Sequence, residues 1–125
     1  MAATVLVADD DTDILRFMEL NLRLEGFEVV TARDGPDALA KAFAIRPDLV
    51  LLDVRMPGLD GYTLCARIRA DARLAEIPVV IVTANYGTAE VEAARRAGAD
   101  DFLIKPFLPA TLLDMAKTLV RYRVS

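Results

Sequence analysis

Five short runs of β-branched or leucine-rich residues punctuate the chain: Thr4 to Ala8, Phe27 to Thr31, Leu49 to Leu52, Val79 to Val82 and Phe102 to Ile104. Each is short and almost continuously apolar, the composition of a strand buried on both faces of a sheet. Segments of helical period lie between them. Ile14, Leu15, Met18 and Leu22 form one apolar stripe, Leu64, Cys65 and Ile68 another, and Leu112, Leu113, Ala116, Leu119 and Val120 a third. Five such runs alternating with five helical segments predict a parallel α/β sheet with right-handed crossovers and helices on both faces. Gly26, Gly35 and Gly98 fall where helices should end or turns begin, and Pro47, Pro78 and Pro106 flank strands without interrupting them.

Length and composition narrow this picture. At 125 residues the chain is expected to form one domain, 1–125, because division would leave two cores too small to be stable. The hydrophobic fraction of 54% suits a doubly covered sheet, yet no apolar run approaches the roughly eighteen residues of a membrane span. Met1-Ala2-Ala3-Thr4 carries no basic segment ahead of its apolar run, so no signal peptide is expected, and the protein is expected to be cytoplasmic. A single cysteine, Cys65, excludes an internal disulfide, and the absence of histidine removes the usual zinc ligands. Any metal must then be held by oxygen. A net charge of -4 and a pI near 4.8 argue against nucleic acid as a direct partner, since binding to a phosphate backbone needs concentrated lysine and arginine.

In open α/β sheets ligands bind beyond the carboxyl ends of the strands, so the residue after each run matters most. The first run ends in Asp9-Asp10-Asp11, the third in Asp53, the fourth in Thr83 and the fifth in Lys105-Pro106. These side chains should converge at one edge of the sheet. Helix capping accounts for Asp11, and Asp60 is expected to cap the third helix. For Asp9, Asp10 and Asp53 two readings stand at this point: capping or loop carboxylates, or a cluster whose mutual repulsion a divalent cation relieves. Thr83 is either a strand residue of high β-propensity or a hydroxyl donor, and Lys105 either a solvated edge charge or a fixed cation. Their shared location favours the second reading of each, because an acyl phosphate needs both kinds of group around its oxygens.

Four segments, in this order and spacing, resemble the receiver domain of two-component response regulators over essentially the whole chain. They are Val5-Leu6-Val7-Ala8-Asp9-Asp10-Asp11, Leu51-Leu52-Asp53-Val54-Arg55-Met56-Pro57-Gly58-Leu59-Asp60-Gly61, Val82-Thr83-Ala84 and Gly98-Ala99-Asp100-Asp101-Phe102-Leu103-Ile104-Lys105-Pro106-Phe107. The resemblance implies a flavodoxin-like, doubly wound five-stranded parallel sheet of strand order 2-1-3-4-5 with five helices. It implies Asp53 as phosphoacceptor, and Mg²⁺, or Mn²⁺ in its place, held by Asp10, Asp53 and the backbone carbonyl of Arg55, with Asp9 acting through a water. Thr83, the Ala84 amide and Lys105 would bind the phosphoryl oxygens, and Pro106 would follow a cis peptide bond. Thr83 and Phe102 would form the switch, Phe102 standing where tyrosine is also common.

The same resemblance implies a sensor histidine kinase or phosphotransfer protein as donor. It implies an effector domain or protein as receiver of the signal, bound through the face made by the fourth helix, fifth strand and fifth helix. The domain would be a monomer or a phosphorylation-dependent dimer, although Val91, Thr111 and Met115 stand where dimerising relatives often carry charges. Its only catalysis would be its own phosphoryl transfer and autodephosphorylation. Arg55 and Asn85 occupy variable family positions that help control dephosphorylation. A dehalogenase-type phosphatase would need a second aspartate where Arg55 stands. A flavin module would place its phosphate against three aspartates, and a receiver-like module without phosphorylation would typically lack part of the acid cluster or the lysine.

Overall fold

The computed structural model describes residues 2–124. The elements are β1 (Thr4–Ala8), α1 (Thr12–Leu24), β2 (Glu28–Ala32), α2 (Gly35–Ile45), β3 (Leu49–Asp53), α3 (Gly61–Ala70), β4 (Val79–Thr83), α4 (Thr88–Ala97), β5 (Asp101–Ile104) and α5 (Pro109–Val124). All strand pairs are parallel and the order is β2-β1-β3-β4-β5, the doubly wound arrangement expected.

Strand side chains alternate between faces, and the alternation divides the core in two. Leu6, Ala8, Val50, Leu52, Val79 and Ile81 face α2, α3 and α4, whose Ala38, Ala42, Leu64, Cys65, Ile68, Ala94 and Ala97 cover them. Val5, Val7, Leu49, Leu51, Val80, Val82 and Leu103 face α1 and α5, under Leu15, Met18, Leu22, Leu112 and Ala116. The helical stripes are thus the sheet-facing sides, with Ile14, Leu113, Leu119 and Val120 half-buried at their margins. Leu74 and Ile77, in the turn after α3, are fully buried and plug the first layer.

The second strand begins one residue later than the β-branched run suggests. Phe27 donates its N–H to Leu22 O at 3.1 Å while Gly26, at φ +101°, donates to Arg23 O at 3.0 Å, which together close α1 as a Schellman motif. Pairing with β1 starts at Glu28, opposite Thr4. The expected caps are present: Asp11 accepts from the amides of Asp13 and Ile14, and Asp60 from the amide and hydroxyl of Thr63. Asp34 caps α2 in the same way through the Asp37 amide. The Lys105–Pro106 peptide bond is cis.

Arg69, on the last turn of α3, ties two connections together. Its guanidinium donates to Gly98 O at 2.8 Å, to Ala75 O at 3.2 Å and to Ile77 O at 2.6 Å, and pairs with the Asp100 carboxylate. Asp100 in turn accepts from the Val79 amide at 2.8 Å, at the start of β4. One half-buried side chain therefore anchors the α3–β4 and α4–β5 turns. Arg69→Ala leaves these acceptors without their donors and should cost about 2–3 kcal/mol of folding stability, measured by urea denaturation. A loss within experimental error would mean that water replaces the guanidinium freely.

Candidate functional site

Backbone pairing brings the polar strand ends together. Asp9 donates its N–H to Ala32 O, Val54 donates to Val82 O and Lys105 donates to Thr83 O, so the sheet ladder continues one residue past β1, β3 and β5. By strand alternation Asp9, Asp53 and Lys105 follow Val7, Leu51 and Leu103 on the face covered by α1 and α5. Their side chains meet there. Lys105 Nζ donates to Asp53 Oδ1 at 2.8 Å and to Asp9 Oδ2 at 2.9 Å. Asp9 is fully buried, Asp53 is 7% exposed, and the other Asp9 oxygen accepts from the Asp11 amide at 2.9 Å.

The remaining residues close a cavity of about 400 Å³ around this pair. It is lined by Asp9, Asp10, Asp11, Asp53, Val54, Arg55, Thr83, Ala84, Asn85 and Lys105. The strand-end residues singled out in the sequence, apart from Pro106, therefore reach one place, and Arg55 and Ala84 join them. Asp53 is the last residue of β3, opposite Val82, and is held more rigidly than a loop carboxylate would be. Gly61 underlies that position, since a Cβ there would lie 2.5 Å from Asp53 O. Thr83 is buried, and its hydroxyl oxygen accepts from the Asn85 amide at 3.1 Å.

Phe102 stands apart from the cavity. It is half-buried on β5, opposite Ile81, on the face covered by α2, α3 and α4, which is also the face of Thr83. Sequence reasoning missed a second, apolar cavity of about 540 Å³ beside Lys105, lined chiefly by Ile14, Phe17, Pro106 and Phe107. The rings of Phe17 and Phe107 meet edge to face at 5.9 Å. The position of Phe17 off the buried stripe was the available signal.

One carboxylate oxygen from each of Asp9, Asp10 and Asp53 lies within 4.8 Å of the other two, with Asp10 exposed to solvent. Hard oxygen donors in this number suit a magnesium ion that keeps several waters, so the residues fit such a cation. Burial pushes the Asp9 carboxyl up, against the opposing hydrogen bonds from Asp11 and Lys105, and the Asp53 charge adds to the rise. Burial acts to lower Lys105, but its hydrogen bonds to Asp53 and Asp9 outweigh that and raise its pKa. Lys105 thus serves as the built-in counter-ion of the acid cluster.

This fold, with an acid cluster and a facing lysine at the carboxyl edge of the sheet, defines a receiver-type site. Residues 5–117 match the family model of the response regulator receiver domain, and the chain belongs to that family. It is 46% identical over 121 residues to the transcriptional regulatory protein PrrA of Mycobacterium tuberculosis, covering 97% of this chain and 51% of PrrA. The chain thus spans about half the length of that curated relative. Chemotaxis protein CheY4 of Vibrio cholerae superposes with a TM-score of 0.91 at 33% identity, over 95% of this chain and 99% of CheY4. The receiver domain of sensor histidine kinase PA1611 from Pseudomonas aeruginosa, solved with a magnesium ion coordinated in its active-site cleft, superposes with a TM-score of 0.87 at 32% identity, all of both chains being covered. Receiver domains of this family are phosphorylation switches of two-component signalling and generally bind Mg²⁺ at such a cluster.

Lys105→Met removes the ammonium and leaves Asp9 buried beside Asp53. In metal-free buffer at pH 7 the variant should lose about 2–4 kcal/mol of stability in urea denaturation. An acid whose folded pKa is raised binds its proton more tightly when folded, so that contribution is favourable at low pH and fades as pH rises through the folded value. Losing the lysine raises Asp9 further, and the deficit against the parent should shrink from pH 7 to about pH 4.5. A deficit that stays constant over that range would contradict the counter-ion role.

Proposed function

We propose that residues 1–125 act as one receiver domain in which Asp53 takes a phosphoryl group from a sensor histidine kinase or a phosphotransfer protein. The observation that carries this reading is the Lys105 ammonium held 2.8 Å from Asp53 Oδ1, inside a cluster of carboxylates that fits Mg²⁺ or Mn²⁺. A carboxylate of Asp53 attacks phosphorus as the bond from phosphorus to the donor histidine nitrogen breaks. The electron pair of that bond returns to the imidazole, which takes up a proton. Lys105 moves from pairing two carboxylates to pairing with a phosphoryl oxygen, while the Thr83 hydroxyl and the Ala84 amide donate to the others. Asp10, Asp53 and the carbonyl of Arg55 would hold a divalent ion, which would supply positive charge to offset that of the transferred group. Asp9, fixed by the Asp11 amide, holds Lys105 beside Asp53 before the transfer. The chemistry of the chain in this reading is that transfer and the hydrolysis of the resulting acyl phosphate by water.

Charge alone does not carry the signal outward. A phosphoryl group adds about -1.5 to -2 charges, but salt screens exposed charges beyond about 8–10 Å, so a packed element with two arrangements is required. Thr83 and Phe102 share a face of neighbouring strands, and the Phe102 ring has no hydroxyl to satisfy as it turns into space that Thr83 vacates. The face of α4, β5 and α5 then changes and engages an effector domain or protein. Val91 at 47%, Ile104 at 38% and Leu108 at 71% exposure supply apolar surface there. The acidic composition supports a protein rather than nucleic acid as direct partner. Among the described residues no helix is long and apolar enough to cross a membrane, and a cytoplasmic site of action agrees with the proposed donor.

Incubation with acetyl phosphate and Mg²⁺ should add one phosphoryl group by intact mass, and Asp53→Asn or excess chelator should abolish the addition. Equal incorporation in the Asn variant would refute the acceptor. Thr83→Ala should keep much of the labelling yet reduce the phosphorylation-induced change in amide exchange over residues 86–120. Exchange changes confined to the loops beside Asp53 in the unmutated protein would refute the coupling.

A further inference from the structure

Asn85 lines the same cavity as Asp53 and Lys105, yet its carboxamide is committed elsewhere. Nδ2 donates to Glu90 Oε1 at 2.9 Å, and Oδ1 accepts from the Gly87 amide at 3.4 Å. Both ends of the side chain are spent on the β4–α4 loop and the first turn of α4. The stronger of the two bonds is the one to Glu90, because it is shorter and its acceptor is ionised.

Glu90 is itself well placed to hold. Its amide donates to Gly87 O at 3.1 Å, and its carbonyl accepts from the Tyr62 hydroxyl at 3.3 Å. The carboxylate lies over Gly87, where a Cβ would come within 2.8 Å of Oε2, so the glycine leaves the room it occupies. Glu90 is only half-buried and does not line the cavity, and whatever it does to the site it does through Asn85.

We propose that Glu90 is a positioning residue that lengthens the life of the phosphoryl group by holding the Asn85 carboxamide away from the cavity. The inference rests on the reading of Asp53 as acceptor. In hydrolysis a water oxygen bonds to phosphorus as the bond from phosphorus to the Asp53 oxygen breaks. The electron pair stays on the carboxylate, and the water protons leave with inorganic phosphate. A carboxamide free in the cavity wall can accept from that water and orient it, as a glutamine does in some nucleotide hydrolases. Tied to Glu90, it cannot.

The test is the decay of phosphorylated protein after the acetyl phosphate donor is removed, followed by intact mass in Mg²⁺ buffer. Glu90→Ala should decay at least about threefold faster than the parent. Glu90→Gln, which keeps an acceptor for Nδ2, should decay at the parental rate, and the Asn85→Ala/Glu90→Ala double variant should return to it. A general loosening of α4 would speed decay in the double variant too, and that result would overturn the proposal. Unchanged decay in Glu90→Ala would overturn it as well. If the parent takes up no label, the acceptor reading fails and this inference with it; if it labels normally, either of the other results removes this inference alone.

Discussion

Two carboxylates, Asp9 and Asp53, sit almost wholly out of water at the ends of adjacent strands, and one ammonium, Lys105, spans both. Burying like charges together costs several kcal/mol unless a cation stands between them, so this arrangement constrains everything around it. The strand ends must be rigid enough to keep three groups within hydrogen-bond reach, and open enough on one side to admit a phosphoryl group. The same electrostatic tension that would destabilise an inert protein makes this edge receptive to a divalent cation and to an anion that the lysine can turn toward.

Rigidity comes from packing against both faces of the sheet and from a few close approaches. Gly61 lets α3 start directly against the Asp53 carbonyl, and Arg69 binds the α3–β4 and α4–β5 turns into one block. On the other side of Thr83 the structure is looser. The β4–α4 loop from Ala84 to Gly87 and the first two residues of α4 are exposed, and the N-cap residue of α4, Gly87, supplies no side-chain cap. A fixed acid site beside a lightly held loop is the physical requirement for a switch, since strain at the site moves the element that resists least.

The relatives place this architecture in a family whose members attach the same domain to different outputs. PrrA is a transcriptional regulator about twice as long as this chain, whereas CheY4 is almost wholly covered by it. The acid edge is common ground for such proteins. This chain furnishes the rim of that site with its own side chains, Arg55 beside the acceptor and Asn85 hydrogen-bonded to Glu90.

The strands, the helix stripes and the caps at Asp11 and Asp60 were legible in the sequence, because each depends on side chains within a few residues of one another and on a period that burial imposes. The convergence of Asp9, Asp10, Asp53, Thr83 and Lys105 was legible too, once parallel strands require their carboxyl ends to share an edge. Tertiary structure decided the rest. The start of β2 moved because Phe27 was needed to close α1, a competition that a β-branched run does not reveal. That Lys105 pairs with Asp9, a partner 96 positions away, rather than with solvent, follows from the face on which the sheet register places both. Arg69 reads as one more charge on an amphipathic helix, and only the path of the α3–β4 turn and the packing of α3 against α4 give its guanidinium carbonyls to bind, because such contacts depend on tertiary geometry and not on local pattern.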